Sequence, residues 1–359
     1  MLIDHQKLHG IAVRIFGAAG SGPEEARIVA DHLVDANLSG HDSHGVGMIP
    51  QYLQHLKAGS LVPNRRGKLV TKDGGIIVYD GDRGYGQVVA REAMLVAIEH
   101  ARNHGLAVLA LRNAHHIGRI GAYGEQCAEA GLVSLHFVNV IGHGPYVAPH
   151  RGRDGRLSTN PVCIAVPAAE PGRPVILDMA TSKIAVGKVR VARNEGRRLA
   201  PDHLLDPQGR PTTDPNDLFG DPHGAILPFA EHKGYALSFL CELLAGAVAG
   251  GGTLRPENQG QDTITNSMLA FVLDPGRLVD KGWLSDEIQA ITRYVTASPA
   301  READEPVLIP GDPERHYRAR RIKEGVPIDE TTWGEITAAA QDLGLDLAWA
   351  REMGATTDR

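Results

Sequence analysis

Cysteine is scarce in this chain of 359 residues. Its three cysteines, Cys127, Cys163 and Cys241, are far apart, and no CxxC spacing occurs. An odd number of separated thiols predicts neither a disulfide framework nor a zinc ribbon. We therefore expect each of them to be a small buried hydrophobic side chain.

Long apolar runs and an excess of positive charge are also lacking. The best candidate for a membrane helix, residues 236–252, is interrupted by Glu242, and Asp4 and Lys7 argue against a secretory signal in the first residues. Lys and Arg number 37 against 43 Asp and Glu, so the net charge of -6 offers no basic field for a phosphate backbone. These absences predict a cytoplasmic protein with neither membrane nor nucleic acid as a partner.

Histidine is abundant by contrast, with 17 in the chain. Imidazole is a common metal ligand, and its ordinary pKa lies close to neutrality. The abundance therefore points to either metal ligation or proton transfer.

The hydrophobic pattern predicts helices at both ends of the chain around a mixed centre. Three helices are expected between residues 5 and 60, the second opening at Pro23 with two glutamates in its first turn. From about residue 68 the pattern changes to β-branched runs and intervening helical segments. The predicted strands are 75–79, 107–111, 133–138, 162–166 and 175–177, and the predicted helices are 87–103 and 119–131.

A helix at 234–249, a strand at "MLAFVLDP" and a return to helices near the end complete the pattern. These elements predict an α/β (α+β) chain with two domains. Residues 1–70 and 300–359 are expected to form one helical domain, and residues 71–299 an α/β domain.

The stretch "DGDRGYGQVVA", residues 80–90, imitates the glycine fingerprint of a dinucleotide-binding Rossmann unit. Such a unit also needs a third small residue at the helix contact and an acidic residue at the end of the second strand. Here position 89 is valine, and the second strand ends in Arg112 and Asn113. The stretch therefore predicts a plain strand–turn–helix, and any nucleotide must bind elsewhere.

The stretch "GHDSHGVGMIP", residues 40–50, places His41 and His44 three positions apart. On a regular helix this spacing would bring two imidazoles to one face for a metal, but three glycines favour a loop or a helix start. Asp42 and Ser43 are good N-cap residues for a helix that begins after them. The motif leaves open whether His44 packs or takes part in chemistry.

The stretch "NAHHIGRIGAYGEQC", residues 113–127, ends a predicted strand with His115 and His116. Neighbouring side chains on a strand point to opposite sides, so at most one of these histidines faces a given cleft. We expect one to be buried and the other to be available for proton chemistry. Glycines at every third position predict a smooth helix face for packing, at Gly118, Gly121 and Gly124.

Two further stretches, "STNPV" at 158–162 and "LDMATSKIAVGK" at 177–188, bring hydroxyls, an amide and an aspartate to strand ends, followed by Lys183 and Lys188. Such groups suit the hydroxyls and phosphates of a cofactor. A capped turn explains the same residues without a ligand.

The last motif, "FAEHKGYALSF" at 229–239, places His232 and Lys233 before a helix. Cationic side chains and free backbone amides converge at such a point and favour an anion. The alternative is a solvated helix start.

Taken in this order and at this spacing, these stretches resemble the malate/L-lactate dehydrogenase type 2 family over nearly the whole chain. The family consists of nicotinamide-dependent oxidoreductases. Within it, the motifs are most similar to the hydroxycarboxylate dehydrogenase B branch, which is associated with reduction of 2-oxo acids such as hydroxyphenylpyruvate. The resemblance implies interconversion of 2-hydroxy and 2-oxo acids, with NAD or NADP as cofactor and a small molecule as substrate.

The resemblance also implies an architecture. It implies a non-Rossmann fold with a mostly antiparallel mixed sheet in the NAD(P)-binding and catalytic domain, and a helical domain built from both termini. It further implies a homodimer with each active site near the interface.

Individual residues receive roles from the same resemblance. The catalytic histidine falls on His116, with His44 in a second proton-transfer position, and Ser43 falls among the substrate-binding residues. Asp178 is expected to hold one imidazole in its tautomer. Cofactor contacts are implied at Thr159, Asn160, Asp178, Met179, Ala180, Thr181, Ser182, Lys188, His232, Lys233, Pro310, Gly311 and Asp312. No metal site is implied.

Two positions depart from the family pattern. Met48, among the expected substrate-binding residues, stands where many relatives carry an arginine that grips the substrate carboxylate, and Val140 stands where many carry a serine. A buried carboxylate still needs a cation. We hypothesise that Arg119 supplies it, because a residue three positions beyond His116 faces the same cavity if a helix has begun there.

Two other classes of function compete with this interpretation. A metal-dependent hydrolase or aldolase would use the histidine clusters, but no carboxylate stands at ligand spacing from either pair and HExxH is absent. A binding or scaffold protein would keep the fold without turnover. The sequence leaves open the substrate, the direction, and the choice between NAD and NADP, for which Arg190 or Arg193 matters only if it reaches the ribose.

Overall fold

The computed structural model describes residues 1–169 and 172–347, and these contain ten α-helices and twelve strands. Residues 348–359, the end of the predicted helical domain, lie outside the described residues. The helices are α1 (His5–Ala18), α2 (Pro23–Leu38), α3 (Ile49–Lys57), α4 (Gly86–His104), α5 (Gly121–Glu129), α6 (Val186–Asn194), α7 (His232–Cys241), α8 (Lys281–Thr296), α9 (Asp312–Glu324) and α10 (Glu330–Gln341). The strands are β1 (Leu2–Ile3), β2 (Lys68–Asp73), β3 (Ile76–Asp80), β4 (Leu106–His115), β5 (Val133–Ile141), β6 (Val162–Val166), β7 (Val175–Met179), β8 (Leu204–Leu205), β9 (Pro211–Thr212), β10 (Ala225–Ile226), β11 (Thr265–Leu273) and β12 (Val326–Pro327).

The centre of the molecule is a seven-stranded sheet in the order β2-β3-β4-β11-β5-β6-β7. β3 and β4 run parallel, and the other neighbouring pairs are antiparallel. The prediction of an α/β chain with a mixed, mostly antiparallel sheet is therefore confirmed. The sequence did not predict β2, because all six residues of this edge strand are exposed and carry no alternation.

The register of the sheet brings several strand ends to one edge. β11 lies between β4 and β5, and Thr265 at its start pairs with His115 on one side and with Ile141 on the other. Farther along the sheet, Val162 at the start of β6 pairs with Met179 at the end of β7. The residues after the ends of β4, β5 and β7 therefore meet those that precede β6 and β11, and the candidate site lies at this edge.

Both ends of the described chain contribute to one hydrophobic core. β1 pairs with β12, and the buried residues Leu8, Phe16, Tyr52 and Trp333 belong to the same cluster. This contact joins the first residues of the chain to the last helices of its described part. The predicted boundary at residue 70 falls inside β2, so the division into domains stays a prediction.

The glycines of "DGDRGYG" allow two backbone segments to touch. A Cβ built on Gly86 would lie 2.1 Å from the carbonyl oxygen of His115, and one on Gly81 would lie 2.7 Å from Cα of Ala114. Because only glycine permits such an approach, the start of α4 lies directly against the end of β4. The motif forms a strand, a turn and a helix, as predicted.

The chain between β4 and α5 is not helical, contrary to the predicted helix start at residue 119. α5 begins at Gly121, and Gly118 before it has a φ of +75° in the left-handed region. Arg119 is therefore not one helical turn beyond His116. Gly124 does serve helix packing, since a Cβ there would lie 2.8 Å from Sγ of Cys163 on β6.

All three cysteines are buried free thiols, as predicted. Within the part of the chain that the structure describes, no helix combines the length and the apolar character needed to cross a bilayer.

Candidate active site

A cavity of about 660 Å³ opens at the sheet edge where β4, β5, β6 and β11 meet. Its volume is in the range of small-molecule sites. Two short 3₁₀ turns, Asp42–His44 and Val46–Met48, form one wall, and α6 contributes to another. The predicted catalytic and substrate-binding residues line it together: Ser43, His44, Met48, His116, Arg119 and Asp178.

The imidazoles of His44 and His116 contact each other in this cavity. Nδ1 of His44 lies 3.2 Å from Nε2 of His116, and the two rings stack with centroids 5.2 Å apart. His44 comes from the first 3₁₀ turn, and His116 comes directly after the end of β4. The structure therefore brings together the two histidines that the sequence singled out from separate motifs.

Tyr52, which the sequence analysis missed, holds the other nitrogen of His116. Its hydroxyl oxygen lies 2.6 Å from Nδ1 of His116 and accepts a hydrogen bond from Nε2 of Gln87 at 2.7 Å. Tyr52 is fully buried on α3, so its O–H needs an acceptor. The sequence did contain a signal for this contact. Tyr52 lies on the apolar face of a helix, and a buried hydroxyl implies a polar partner.

This hydrogen bond assigns the tautomer of the neutral ring. Because the hydroxyl oxygen of Tyr52 accepts from Gln87, we assign its O–H as the donor to Nδ1 of His116, and hence the ring proton of His116 to Nε2, where it is donated to Nδ1 of His44. The proton of neutral His44 is then on its own Nε2, which has no partner among the described residues. Gln87, Tyr52, His116 and His44 thus form one directed chain of hydrogen bonds that ends in the cavity.

The backbone around His116 is also fixed. The N–H of Ile117 donates to Oδ1 of Asn266 on β11 at 2.9 Å. The preceding His115 points to the other side, where its Nε2 lies 2.8 Å from Nδ1 of the buried His55. The prediction that only one of the two adjacent histidines faces the cleft is confirmed.

Burial lowers the pKa of both imidazoles in the cavity. The pKa of His44 falls to about 3, first through loss of solvent and then through His41. The pKa of His116 is lowered well below its ordinary value, again through burial first and then through His44. Both rings are therefore neutral at neutral pH, and a bound anion would raise both pKa values.

Asp178 does not orient either imidazole, so its expected role in setting a tautomer is wrong. Its Oδ2 accepts a hydrogen bond from the N–H of Gly121 at 2.8 Å, at the start of α5, where a carboxylate is favourable. Both nitrogens of His116 are already occupied, by Tyr52 and by His44. Asp178 therefore contributes to the cavity wall and to the position of α5.

Asp42 and Ser43 do not cap a helix with their side chains, contrary to the prediction. The 3₁₀ turn that contains them has no side-chain cap, and the carboxylate of Asp42 accepts from Nη2 of Arg321 at 2.9 Å. Ser43 lies against α6, since a Cβ built on Gly187 would be 2.6 Å from its Cβ. Both residues therefore fix the turn that carries His44.

Arg119 reaches the cavity wall with its charge already paired. Its Nη2 donates to Oδ2 of Asp35 at 2.8 Å and to Oε2 of Glu125 at 2.5 Å, and the residue is 2% exposed. Burial alone would lower the pKa of this guanidinium, but Glu125 and Asp35 raise it. The hypothesis that Arg119 binds the substrate carboxylate is not supported, because the preceding segment is not helical and two carboxylates already hold the cation.

Some of the predicted cofactor residues line the same cavity: Thr159, Asp178, Ala180, Ser182 and Lys188. Others lie behind its wall. The hydroxyl of Thr181 donates to the carbonyl of Thr159 at 3.0 Å, and Nδ2 of Asn160 donates to Oε2 of Glu242 at 2.7 Å. Met179 precedes them at the end of β7.

The remaining predicted cofactor residues do not line this cavity in the described chain. His232 and Lys233 are exposed at the start of α7. The loop 310–312 borders a neighbouring cavity, which shares Arg119 and Asp178 with the first, and the carboxylate of Asp312 accepts from Arg315. The sequence grouped these residues with the site because of the family resemblance, and their contacts to a cofactor stay a prediction.

The cavity carries more cationic than anionic side chains. Lys183, Lys188 and Arg190 line it, and none of the three has an ion-pair partner among residues 1–169 and 172–347. Asp178 is the one carboxylate in the described lining. A cavity of this charge attracts ligands with several negative charges. No sequence pattern placed Arg190 in the same cavity as His44, because that depends on how α6 packs.

Within the described residues, no group of three or more His, Cys, Asp and Glu side chains is arranged to hold a metal ion. A metal-dependent hydrolase would need such a group.

Comparison with known proteins gives a consistent result over the length of the chain. Residues 3–337 match the family model for malate/L-lactate dehydrogenase. Hydroxycarboxylate dehydrogenase B of Escherichia coli K12 is 46% identical over 344 residues, which cover 95% of this chain and 94% of that protein. L-lactate dehydrogenase of Cupriavidus necator is 41% identical over 90% of this chain and 92% of its own.

Solved structures agree with the sequence comparison. A structure from E. coli, described as a malate/lactate dehydrogenase, superimposes with a TM-score of 0.93 at 44% identity, covering 99% of this chain and 98% of that chain. Sulfolactate dehydrogenase of Methanocaldococcus jannaschii superimposes with a TM-score of 0.83 at 32% identity, covering 96% of this chain and 98% of its own.

Proposed function

Because this chain belongs to the malate/L-lactate dehydrogenase family, we propose that it interconverts 2-hydroxy acids and 2-oxo acids by hydride transfer with NAD or NADP. Membership of a family of hydroxy acid dehydrogenases supports oxidoreduction of 2-hydroxy acids. The observation that carries the proposal for this chain is the contact of His44 with His116 inside a cavity that has an excess of positive charge. The likeness to hydroxycarboxylate dehydrogenase B favours substrates such as hydroxyphenylpyruvate.

The cavity has donors that fit a nicotinamide dinucleotide. Lys183 and Lys188 offer ammonium groups without carboxylate partners among the described residues, and Thr159 offers a hydroxyl. When bound, the nicotinamide ring supplies or takes up the hydride. We assign its binding to Thr159, Asp178, Ala180, Ser182 and Lys188, outside any Rossmann unit. His232, Lys233 and the loop 310–312 remain candidates for its more distant parts.

In this proposal the two histidines act together to transfer the proton. In the direction of reduction, the pair first binds one proton from solvent at Nδ1 of His116. Nε2 of His44 then donates its proton to the carbonyl oxygen while Nδ1 of His44 takes up the Nε2 proton of His116, so that both rings end neutral. In the direction of oxidation, the proton moves from the substrate hydroxyl the other way. Positioned acid–base groups are worth roughly 10²–10⁴ in rate.

A homodimer is part of the proposal. α8 has no buried residue, although it carries large apolar side chains: Trp283 is 56% exposed, Ile291 56% and Tyr294 79%. An amphipathic helix with its apolar face in water is expected to meet a partner surface. A second copy of this chain is the partner that the family resemblance implies.

The function is tested by a panel of 2-oxo acids, with phenylpyruvates and hydroxypyruvate included, assayed with NADH and separately with NADPH. We expect consumption of reduced cofactor with at least one acid, and the same rate after dialysis against a chelator. A rate that the chelator abolishes would favour the metal-dependent hydrolase or aldolase class. Absence of turnover with every acid would favour a binding protein.

A further inference from the structure

The proposed substrate carries a carboxylate next to the carbon that is oxidised or reduced. Such a group bound beside two neutral imidazoles needs a cation, because desolvation of an unpaired carboxylate is costly. Met48, which lines the cavity near the turn that carries His44, offers none. Arg119 is already paired with Asp35 and Glu125, so another side chain must supply the charge.

Arg190 is on α6, and α6 lies directly against the turn that carries His44. A Cβ built on Gly187 would lie 2.6 Å from Cβ of Ser43, so only glycine permits this approach. Residues three apart on a helix share a face. Arg190 is three positions beyond Gly187 and therefore extends along the same side of α6, over the 3₁₀ turns.

The guanidinium of Arg190 ends beside the second 3₁₀ turn. Its Nη2 would lie 3.9 Å from a Cβ built on Gly47, which is ordinary contact with the residue between Val46 and Met48. Arg190 lines the same cavity as His44 and His116. The guanidinium therefore lies beside the second 3₁₀ turn, on a residue that shares the cavity lining with both histidines.

No other cation in the described lining combines these features. Arg190 is partly exposed and has no carboxylate within ion-pair distance in the described chain. Lys188 is exposed on the same helix, and Lys183 precedes α6 by three residues. An arginine also presents two parallel N–H groups to a carboxylate, which a lysine does not.

We propose that Arg190 binds the carboxylate of the 2-oxo or 2-hydroxy acid and so sets the preference of this enzyme for acids. The inference rests on the proposed function, since it names the residue that selects the substrate class. The guanidinium supplies the positive charge that Met48 does not carry. It holds the carbonyl of the substrate next to Nε2 of His44.

The test compares Arg190→Ala and Arg190→Lys with Arg197→Ala. Arg197 is a matched control, because it is exposed just after the same helix, pairs with Glu195 and does not line the cavity. Each protein is assayed with the best 2-oxo acid of the panel and with the methyl ester of that acid. Binding of oxamate, a carboxylate that is not reduced, is measured by calorimetry in the presence of the reduced cofactor, and binding of the cofactor alone is measured in parallel.

We expect Arg190→Ala to raise the KM of the acid and the Kd of oxamate about 10- to 100-fold, as for loss of a charge-assisted bidentate contact. The ester, which carries no negative charge, should change by less than about twofold, and so should cofactor binding. Arg190→Lys should recover part of the loss, and Arg197→Ala should behave as the unaltered protein.

An unchanged KM for the acid in Arg190→Ala would overturn the inference while leaving the proposed function intact. So would a loss confined to binding of NADPH, which would assign Arg190 to a phosphate of the cofactor. Failure of the proposed function is a separate result, because the unaltered protein would then turn over no acid at all.

Discussion

The phenol oxygen of Tyr52 lies 2.6 Å from Nδ1 of His116, on the opposite side of the ring from His44. Burial raises the pKa of this phenol, so Tyr52 remains a hydrogen-bond donor across the accessible pH range. One buried donor therefore determines which nitrogen of His116 carries the proton, and through it the direction of the whole chain of hydrogen bonds.

Removal of the Tyr52 hydroxyl should weaken the preference of His116 for one tautomer. In Tyr52→Phe, Nδ1 of His116 loses its donor, both tautomers become accessible, and we expect kcat to fall about tenfold, as for one lost hydrogen bond to a reacting group. The KM of the cofactor should not change. Nitrogen NMR of labelled histidine should show a single tautomer of His116 in the unaltered protein and a mixture in the variant.

Tyr85→Phe is the matched control for that experiment, since Tyr85 is equally buried and its ring is 6.2 Å from that of Tyr52. A positioning role for Tyr52 would be contradicted if both variants had the same kcat, or if the NMR signals of His116 were alike in all three proteins.

His116→Ala should lose turnover and keep its affinity for the reduced cofactor. The substitution interrupts the relay between Tyr52 and His44, and we expect a loss of roughly 10²–10⁴ in kcat. Fluorescence titration with NADH and with NADPH measures binding independently of the reaction. His104→Ala, at an exposed position of α4, serves as the control, and near-normal turnover in His116→Ala would refute the role.

Arg119→Met should act on stability more than on catalysis. The substitution leaves Asp35 and Glu125 without the buried cation that both contact, and we expect a loss of about 2 to 4 kcal/mol in the free energy of unfolding. Urea denaturation measures it. Arg27→Met, which breaks an exposed pair with Asp31, should cost about 0.5 kcal/mol or less. An equal cost for the two variants would argue that the Arg119 cluster contributes no more than a surface pair.

Stability should fall as the pH is lowered from neutrality. Burial lowers the pKa of His115 to about 3 and that of His136 to about 4, and lowers that of His116 as well. Below their ordinary pKa of about 6.5, these rings bind protons in the unfolded state but not in the folded state. Proton binding therefore stabilises the unfolded state relative to the folded state as the pH falls. Between its pKa in the folded state and its ordinary pKa, each ring should lower the free energy of unfolding by about 1.4 kcal/mol for each unit by which the pH falls.

Denaturation with urea at pH 7.5, 6.5 and 5.5, values about one unit apart around the ordinary histidine pKa, measures this dependence. His136→Gln should reduce the slope by the share of one ring, because His136 is fully buried on β5 and contacts Ser134 away from the cavity. A stability that stays constant across the series would mean that the buried rings titrate normally in the folded protein.

The exposed apolar face of α8 should hold two copies of the chain together. Ile291→Glu places a charge on that face and should convert a dimer to a monomer in sedimentation velocity. Arg293→Gln changes an exposed polar position on a different side of the same helix and should leave the dimer intact. A monomeric unaltered protein, or a dimer that survives Ile291→Glu, would contradict an interface at α8.

Local sequence patterns were sufficient for much of the fold. The period of apolar residues identified α1, α2 and α3, and β-branched runs located β3 to β7 and β11, because these signals depend on neighbouring positions alone. The motifs also identified His44 and His116 as candidate site residues. The alternation of side chains along a strand predicted that His115 and His116 point to opposite sides.

The tertiary structure decided which groups these histidines meet. Tyr52 contacts His116 from α3, Gln87 contacts Tyr52 from α4, and Arg190 lines the cavity from α6, and no spacing along the chain relates them. Arg119 shows the converse: it is close to His116 in sequence, yet its guanidinium is bound by Asp35 on α2. Side-chain partners depend on how helices pack against the sheet, and that packing is determined by burial and close backbone approach over long distances in sequence.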